Sequence, residues 1–136
     1  MIVQIEPWID NEEMVQLKRV VDSTYVTEHK LTKEFEEGIK TLTGSKHAIA
    51  MTNGTVALYC CLRANNIGPG DEVVVPDMTF IATANAVLLA GATPVFADID
   101  PLTLTLSSKT ISRVLSKKTK AVIPVHLYGR SAVSYT

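Results

Sequence analysis

The sequence predicts an α/β fold, a mostly parallel sheet with helices on both faces. Three observations predict it. From residue 47 onward, short apolar runs alternate with helical stretches at close spacing, the pattern of βαβ units. Turn-forming residues, Gly68-Pro69-Gly70-Asp71 and Gly91, punctuate those runs. The chain has 136 residues and is 46% hydrophobic, long and apolar enough to bury a core of single-domain size.

The elements follow in order. Asp10 is placed as a helix N-cap, with Glu13 three positions on completing a capping box. Met14, Leu17, Val20 and Val21 then recur at helical spacing. A polar break over 22–30 carries Tyr25, Thr27, Glu28 and His29. A second amphipathic helix fits 31–42, with Phe35, Ile39 and Leu42 on one face and Gly44 at its C-terminal stop. Residues 47–51 read as a short buried strand, 55–63 as a helix and 72–75 as a strand. Residues 79–90 read as a helix apolar nearly all round, hence buried on most faces. Residues 93–97 form the next strand. A weak helix over 108–115 follows, capped by Ser107 or Ser108, and then a strand over 121–125. A βα unit opened by that strand should continue, so the stop at Thr136 suggests part of a larger protein.

Composition narrows the function classes. Thirteen basic against fourteen acidic residues leave a formal charge of −1, which argues against a dedicated nucleic-acid binder. The basic cluster Lys117, Lys118 and Lys120 reads as a solvated loop or helix end. Cys60 and Cys61 are adjacent and poorly placed for a relaxed disulfide, which suits a reducing compartment. No basic-then-apolar leader opens the chain. The most apolar region, 80–97, is interrupted by Asn85, Gly91 and Pro94 and falls short of the ~20 apolar residues of a membrane span. A soluble cytoplasmic protein, with no membrane or nucleic-acid partner, is expected.

Several places could carry chemistry. Thr52-Asn53-Gly54-Thr55 lies between a predicted strand and a predicted helix. The first amides of a helix lack internal partners and the macrodipole is positive there, so the segment could cradle a phosphate. Asn-Gly is also a hairpin turn signal, and Asn53-Gly54-Thr55 also matches a glycosylation sequon. Helical periodicity after Val56 and the lack of a secretory leader speak against those two readings. Phe80 follows a strand's carboxyl end, where open α/β sheets bind ligands. It could stack on a flat ring or fill the core. Asp98 and Asp100 could form an acid pair, or a capped turn in Asp98-Ile99-Asp100-Pro101. His126, after the last predicted strand, could contact a ligand or serve structure. His29, His47 and His126 have no metal-ligand spacing, so no zinc site is expected.

Taken in order, the motifs form a series. They are Asn53-Gly54-Thr55-Val56-Ala57-Leu58, Gly68-Pro69-Gly70-Asp71-Glu72-Val73, and Pro76 with Thr79-Phe80-Ile81-Ala82-Thr83. Gly91-Ala92-Thr93-Pro94-Val95-Phe96, Asp98-Ile99-Asp100 and Pro124-Val125-His126-Leu127-Tyr128-Gly129 complete it. In this order and at these intervals the series closely resembles the N-terminal portion of the DegT-type (DegT/DnrJ/StrS) nucleotide-sugar aminotransferases, and residues 122–130 lean toward the perosamine-synthase-like members. The resemblance runs from about Thr27 to Gly129.

It implies the aspartate-aminotransferase-like fold of pyridoxal-phosphate enzymes. An N-terminal helix and active-site-proximal segment would occupy 1–30, and an incomplete N-terminal part of the large cofactor-binding domain 31–136. Pyridoxal 5′-phosphate is the implied cofactor. Gly54 and Thr55 would contact its phosphate and Phe80 its pyridine ring, while Thr27 and His126 would approach or line the pocket. The implied reaction moves an amino group from glutamate to a nucleotide-linked keto-deoxysugar, in a homodimer. The family's Schiff-base lysine is expected downstream, and none of Lys109, Lys117, Lys118 or Lys120 stands in its context. No catalytic residue is therefore expected in this chain, nor activity from it alone. Related readings are a keto-deoxysugar dehydratase and a non-catalytic fragment or pseudoenzyme with a binding role. The tail 131–136 shows no clear match to the family's continuation.

Overall fold

A computed structural model describes residues 5–132. The N-terminal residues 1–4 and the C-terminal residues 133–136 lie outside the described residues. The chain forms two compact units, Met1–Ala50 and Met51–Thr136.

The first unit holds two helices, α1 (Asn11–Ser23) and α2 (Lys30–Thr43). The capping box opens α1 as expected. Asp10 Oδ1 accepts the Glu12 amide at 2.8 Å, and Glu13 Oε2 accepts the Asp10 amide at 2.8 Å. The Trp8 indole adds a 3.3 Å hydrogen bond to Asp10 Oδ2. Thr24 closes α1 in the left-handed region at φ 61°. In the polar break the Tyr25 and His29 rings stack at 4.2 Å. Gly44 ends α2 at φ 69°, donating its N–H to Lys40 O, the role its position predicts. Arg19 pairs with Glu34 at 3.1 Å, linking the helices. Neither helix has a buried residue, so the apolar faces marked by Leu17, Phe35 and Leu42 are exposed.

Residues 47–51 are not the buried strand that the sequence suggests. The segment is irregular, and Ile49 is 73% exposed. A strand exists through its ladder partner, and no described strand pairs with this one.

The second unit begins with α3 (Gly54–Ala64) and continues as β1 (Glu72–Pro76), α4 (Ala82–Leu89), β2 (Thr93–Ala97), α5 (Ser108–Ser112) and β3 (Thr119–Val122). The three described strands are parallel in the order β2-β1-β3. Glu72 to Pro76 run opposite Thr93 to Ala97, and Val74 lies opposite Val122. The β1–β3 register slips between Glu72 and Val73, where Lys120 is the extra residue. Pro94, which cannot donate to a ladder, sits on an outer strand of the described sheet.

Alternation along β1 sends its valines to two cores. Val73 and Val75 pack with Leu62, Ile67, Val87, Ala90 and Ala92, on the face covered by α3 and α4. Val74 packs with Ala97 and Leu106 on the α5 face. Helices therefore cover both faces of a parallel sheet, as the sequence predicts.

Three boundaries differ from expectation. Helix α4 begins at Ala82, three residues later than expected, because 77–81 form the turn leaving β1. It is also buried on one side only. Thr83, Ala84, Ala86 and Val87 face the core, whereas Leu88 and Leu89 are 58% and 63% exposed. Helix α5 is short, held by a capping box between Ser107 and Thr110. Strand β3 ends at Val122, not 125, since Pro124 offers no N–H to the ladder. Ile123 still donates to Val74 O at 2.9 Å.

Candidate functional site

The site builds on the carboxyl ends of β1 and β3 and the N-terminus of α3, all in the second unit. The C-terminal part of α3 lies beside the start of β1, since Leu62 and the following Ile67 pack against Val73 and Ala92. Its N-terminus therefore points toward the strands' carboxyl ends. Helix α4 runs the same way, leaving β1 and returning to the start of β2.

At the α3 N-terminus, Asn53 is the cap. Its Oδ1 accepts the Val56 amide at 3.0 Å, and its carbonyl accepts Ala57 N–H at 3.1 Å. That consumes the third and fourth amides. The first two, on Gly54 and Thr55, make no hydrogen bond among the described residues. A Cβ built on Gly54 would meet nothing within 4 Å, so the space over these amides is open. Gly54 is exposed and Thr55 half-buried. Two free donors at a positive helix end, with open space and a hydroxyl beside them, fit a phosphate. The hairpin reading of Asn53-Gly54 is excluded, because a helix follows.

Phe80 is not a core residue. It lies in the turn after β1, 76% exposed, with its carbonyl accepting Thr83 N–H and its ring outside. An unburied aromatic face past a strand end fits a flat heterocycle.

His126 lies four residues past the end of β3, beyond the strand next to β1. Its Nδ1 accepts the amide of Ala132 at 2.9 Å, and Ala132 is fully buried. The turn between them, Leu127–Gly129, places Tyr128 at φ 53°. Arg130 ties the turn down, donating from Nη1 to Leu102 O at 3.0 Å.

Thr27 is an exposed residue of the break between α1 and α2, in the first unit. Asp100 resolves toward the capped-turn reading. Its Oδ1 accepts the amides of Leu102 and Thr103, and its N–H donates to Thr105 O. The residue that sequence reasoning passed over is Asp77. Its N–H donates to Ala97 O at 3.0 Å and its Oδ1 accepts Ile99 N–H at 3.1 Å. It thus joins the loops leaving β1 and β2, beneath Phe80 in sequence. The signal was its position, an aspartate directly after a strand's last residue. Among the described residues, no group of three or more histidine, cysteine or acidic side chains could hold a metal ion. No helix of the described residues is long and apolar enough to cross a membrane.

A parallel sheet with helix N-termini and an open aromatic at its carboxyl end defines a ligand-binding α/β site. The chain belongs to the DegT/DnrJ/EryC1/StrS aminotransferase family, whose pattern matches residues 7–133. It is 44% identical over 125 residues to GDP-perosamine synthase of Caulobacter vibrioides, a match covering 91% of this chain and 34% of that protein. Among solved structures it is similar to DesV of S. venezuelae in complex with a ketimine intermediate. There the TM-score is 0.85 at 36% identity, covering 90% of this chain and 33% of that one. It is likewise similar to NtdA of Bacillus subtilis with bound cofactor PMP. That TM-score is 0.85 at 34% identity, covering 91% of this chain and 29% of that one. The chain spans about a third of the length of these relatives. The α/β architecture with a parallel sheet is thus the fold of the sugar aminotransferases.

Proposed function

We propose that this chain supplies the phosphate-and-ring side of a pyridoxal 5′-phosphate site in a sugar aminotransferase. One observation carries the reading. Two unpartnered amides, on Gly54 and Thr55, open onto free space at the end of the sheet where Phe80 is exposed. The family membership and the PMP found in a relative support the choice of group.

In this reading the Gly54 and Thr55 amides and the Thr55 hydroxyl bind the phosphate, and the helix dipole favours its charge. Phe80 lies against the ring and keeps water from that face. Asp77 holds the turn that carries Phe80. His126 borders the pocket. When bound, the cofactor supplies a carbonyl that takes up an amino group and a ring that acts as an electron sink. No lysine of this chain is assigned the covalent link to it, and segments 1–30 and 31–136 take the roles that the family resemblance implies.

The substrate is a nucleotide-linked keto-deoxysugar, with a perosamine-type 4-amino sugar favoured by the likeness to GDP-perosamine synthase. Glutamate is the amino donor, and the working protein is a cytoplasmic homodimer.

The test is titration of the chain with pyridoxal 5′-phosphate, pyridoxal and inorganic phosphate. Pyridoxal phosphate should bind about tenfold or more tighter than pyridoxal, the share of charge-assisted hydrogen bonds to one phosphate. Gly54→Val should abolish that difference and leave the fold intact, because its Cβ meets no neighbour. Equal affinity for the two pyridoxal forms would refute the reading.

A further inference from the structure

The bond between His126 and Ala132 fixes more than a turn. A backbone amide can only donate, so the Nδ1 that accepts it at 2.9 Å carries no proton. The neutral ring must then carry its proton on Nε2. His126 is exposed while Ala132 is fully buried, so the Nδ1 edge is tied inward and the opposite edge is left to solvent. His126 leaves the carboxyl end of β3 and Phe80 leaves the carboxyl end of β1. β1 and β3 are adjacent, so the exposed His126 and the exposed Phe80 both follow strand carboxyl ends at the same end of the sheet. The turn around His126 is doubly anchored, by Ala132 N–H and by the Arg130 guanidinium on Leu102 O. The ring is therefore held in place before any ligand arrives, and ordering it costs little on binding.

We infer that Ala132 locks His126 in its Nε2–H tautomer, and that this N–H is the hydrogen-bond donor to an acceptor oxygen of the cofactor held beyond β1 and β3. The inference rests on the cofactor reading above. The tautomer half stands independently of it. The phosphate oxygens and the oxygen substituents of the ring share the required chemistry, and the probes separate them.

The experiment is nitrogen-15 NMR of the imidazoles in the 136-residue chain at about pH 8, above the ordinary imidazole range. The His126 resonances are assigned by their loss in His126→Asn. Without ligand, the Nε2–H pattern is expected, and an Nδ1–H pattern or a mixture of the two overturns the inference. With pyridoxal 5′-phosphate, the Nε2 resonance should move. Movement with inorganic phosphate alone assigns the phosphate oxygen, and movement with pyridoxal alone assigns an oxygen substituent of the ring. Bound probe with an unmoved Nε2 overturns the donor role.

Two variants divide structure from binding. His126→Asn keeps an acceptor near the Nδ1 position, so the Ala132 amide should stay protected from exchange. Its affinity for pyridoxal phosphate should fall about three- to tenfold, the share of one hydrogen bond. His126→Gln keeps a donor near the Nε2 position, so affinity should stay within about twofold while Ala132 protection is lost. A purely structural His126 gives the reverse, with affinity following Ala132 protection, and overturns the inference. Should the unsubstituted chain bind no pyridoxal phosphate while showing the Nε2–H pattern, the cofactor reading fails and the donor role falls with it.

Discussion

Leu106→Ala is the sharpest test of how the second unit is held together. Leu106 is 1% exposed and packs with Val74 and Ala97, with Val95, Ile111, Val114 and Val122 around them. It is the largest fully buried side chain described. It pins the loop after β2 and the short helix α5 onto the sheet face opposite α3 and α4. Truncation removes three carbons, about 2.4 kcal/mol of transfer free energy at ~0.8 kcal/mol each. A cavity of roughly 60 Å³ that does not collapse adds about 1.4 kcal/mol at ~24 cal/mol per Å³. The expected loss is thus about 2.5–4 kcal/mol, a large part of a typical domain's 5–15 kcal/mol or so. Urea denaturation followed by far-ultraviolet circular dichroism measures it, provided the m-value is unchanged. Leu102→Ala is the control, since Leu102 is 85% exposed in the same loop and should change stability by less than about 0.5 kcal/mol. A Leu106→Ala loss below about 1 kcal/mol would refute the two-faced core.

The remaining predictions address backbone and charge. Gly91 stands at φ +81°, and a Cβ there would lie 3.1 Å from Pro69 Cγ and 3.2 Å from its Cδ. Gly91→Ala should cost about 1–3 kcal/mol by urea denaturation. Gly38→Ala, inside α2 with nothing within 4 Å, should instead stabilise by about 0.5–1 kcal/mol. The Glu12 amide, and after it the Trp8 indole, hold the Asp10 carboxyl below its ordinary value. A carboxylate with a lowered folded-state pKa stabilises the fold above its ordinary range, and that contribution fades as pH falls through the lowered value. The protection of the first-turn amides of α1, taken relative to intrinsic exchange at each pH, should therefore fall on acidification below about pH 4. Asp10→Asn, which keeps an acceptor and loses the charge, should flatten that profile.

Local chemistry was legible in the sequence and partnership was not. The Asp10–Glu13 box, the Gly44 stop and the Ser107 cap are each set within a few residues, and each lies where the sequence puts it. The strands at 72–76 and 93–97 were legible because both flanks carry turn formers. Residues 47–51 have the composition of a strand, but a ladder needs a second chain segment that composition does not reveal. The late start of α4 and the early end of β3 come from one-residue causes, the Asp77 turn and the Pro124 imide. At the candidate site, the sequence placed Gly54, Thr55, Phe80 and His126 near strand or helix ends. It left open whether Phe80 is buried and which nitrogen of His126 is engaged, because both depend on residues distant in the chain or on the path of a turn.

The central claim is that the opening amides of α3 bind the phosphate of a pyridoxal ligand beside Phe80. Amide chemical shifts of the chain, followed as pyridoxal 5′-phosphate is added, test it most directly. The account predicts the largest saturable shifts at Gly54 and Thr55, with ring-current shifts around Phe80. Shifts confined to Lys117, Lys118 and Lys120 or to the α1 and α2 helices, with Gly54 and Thr55 unmoved, would contradict it.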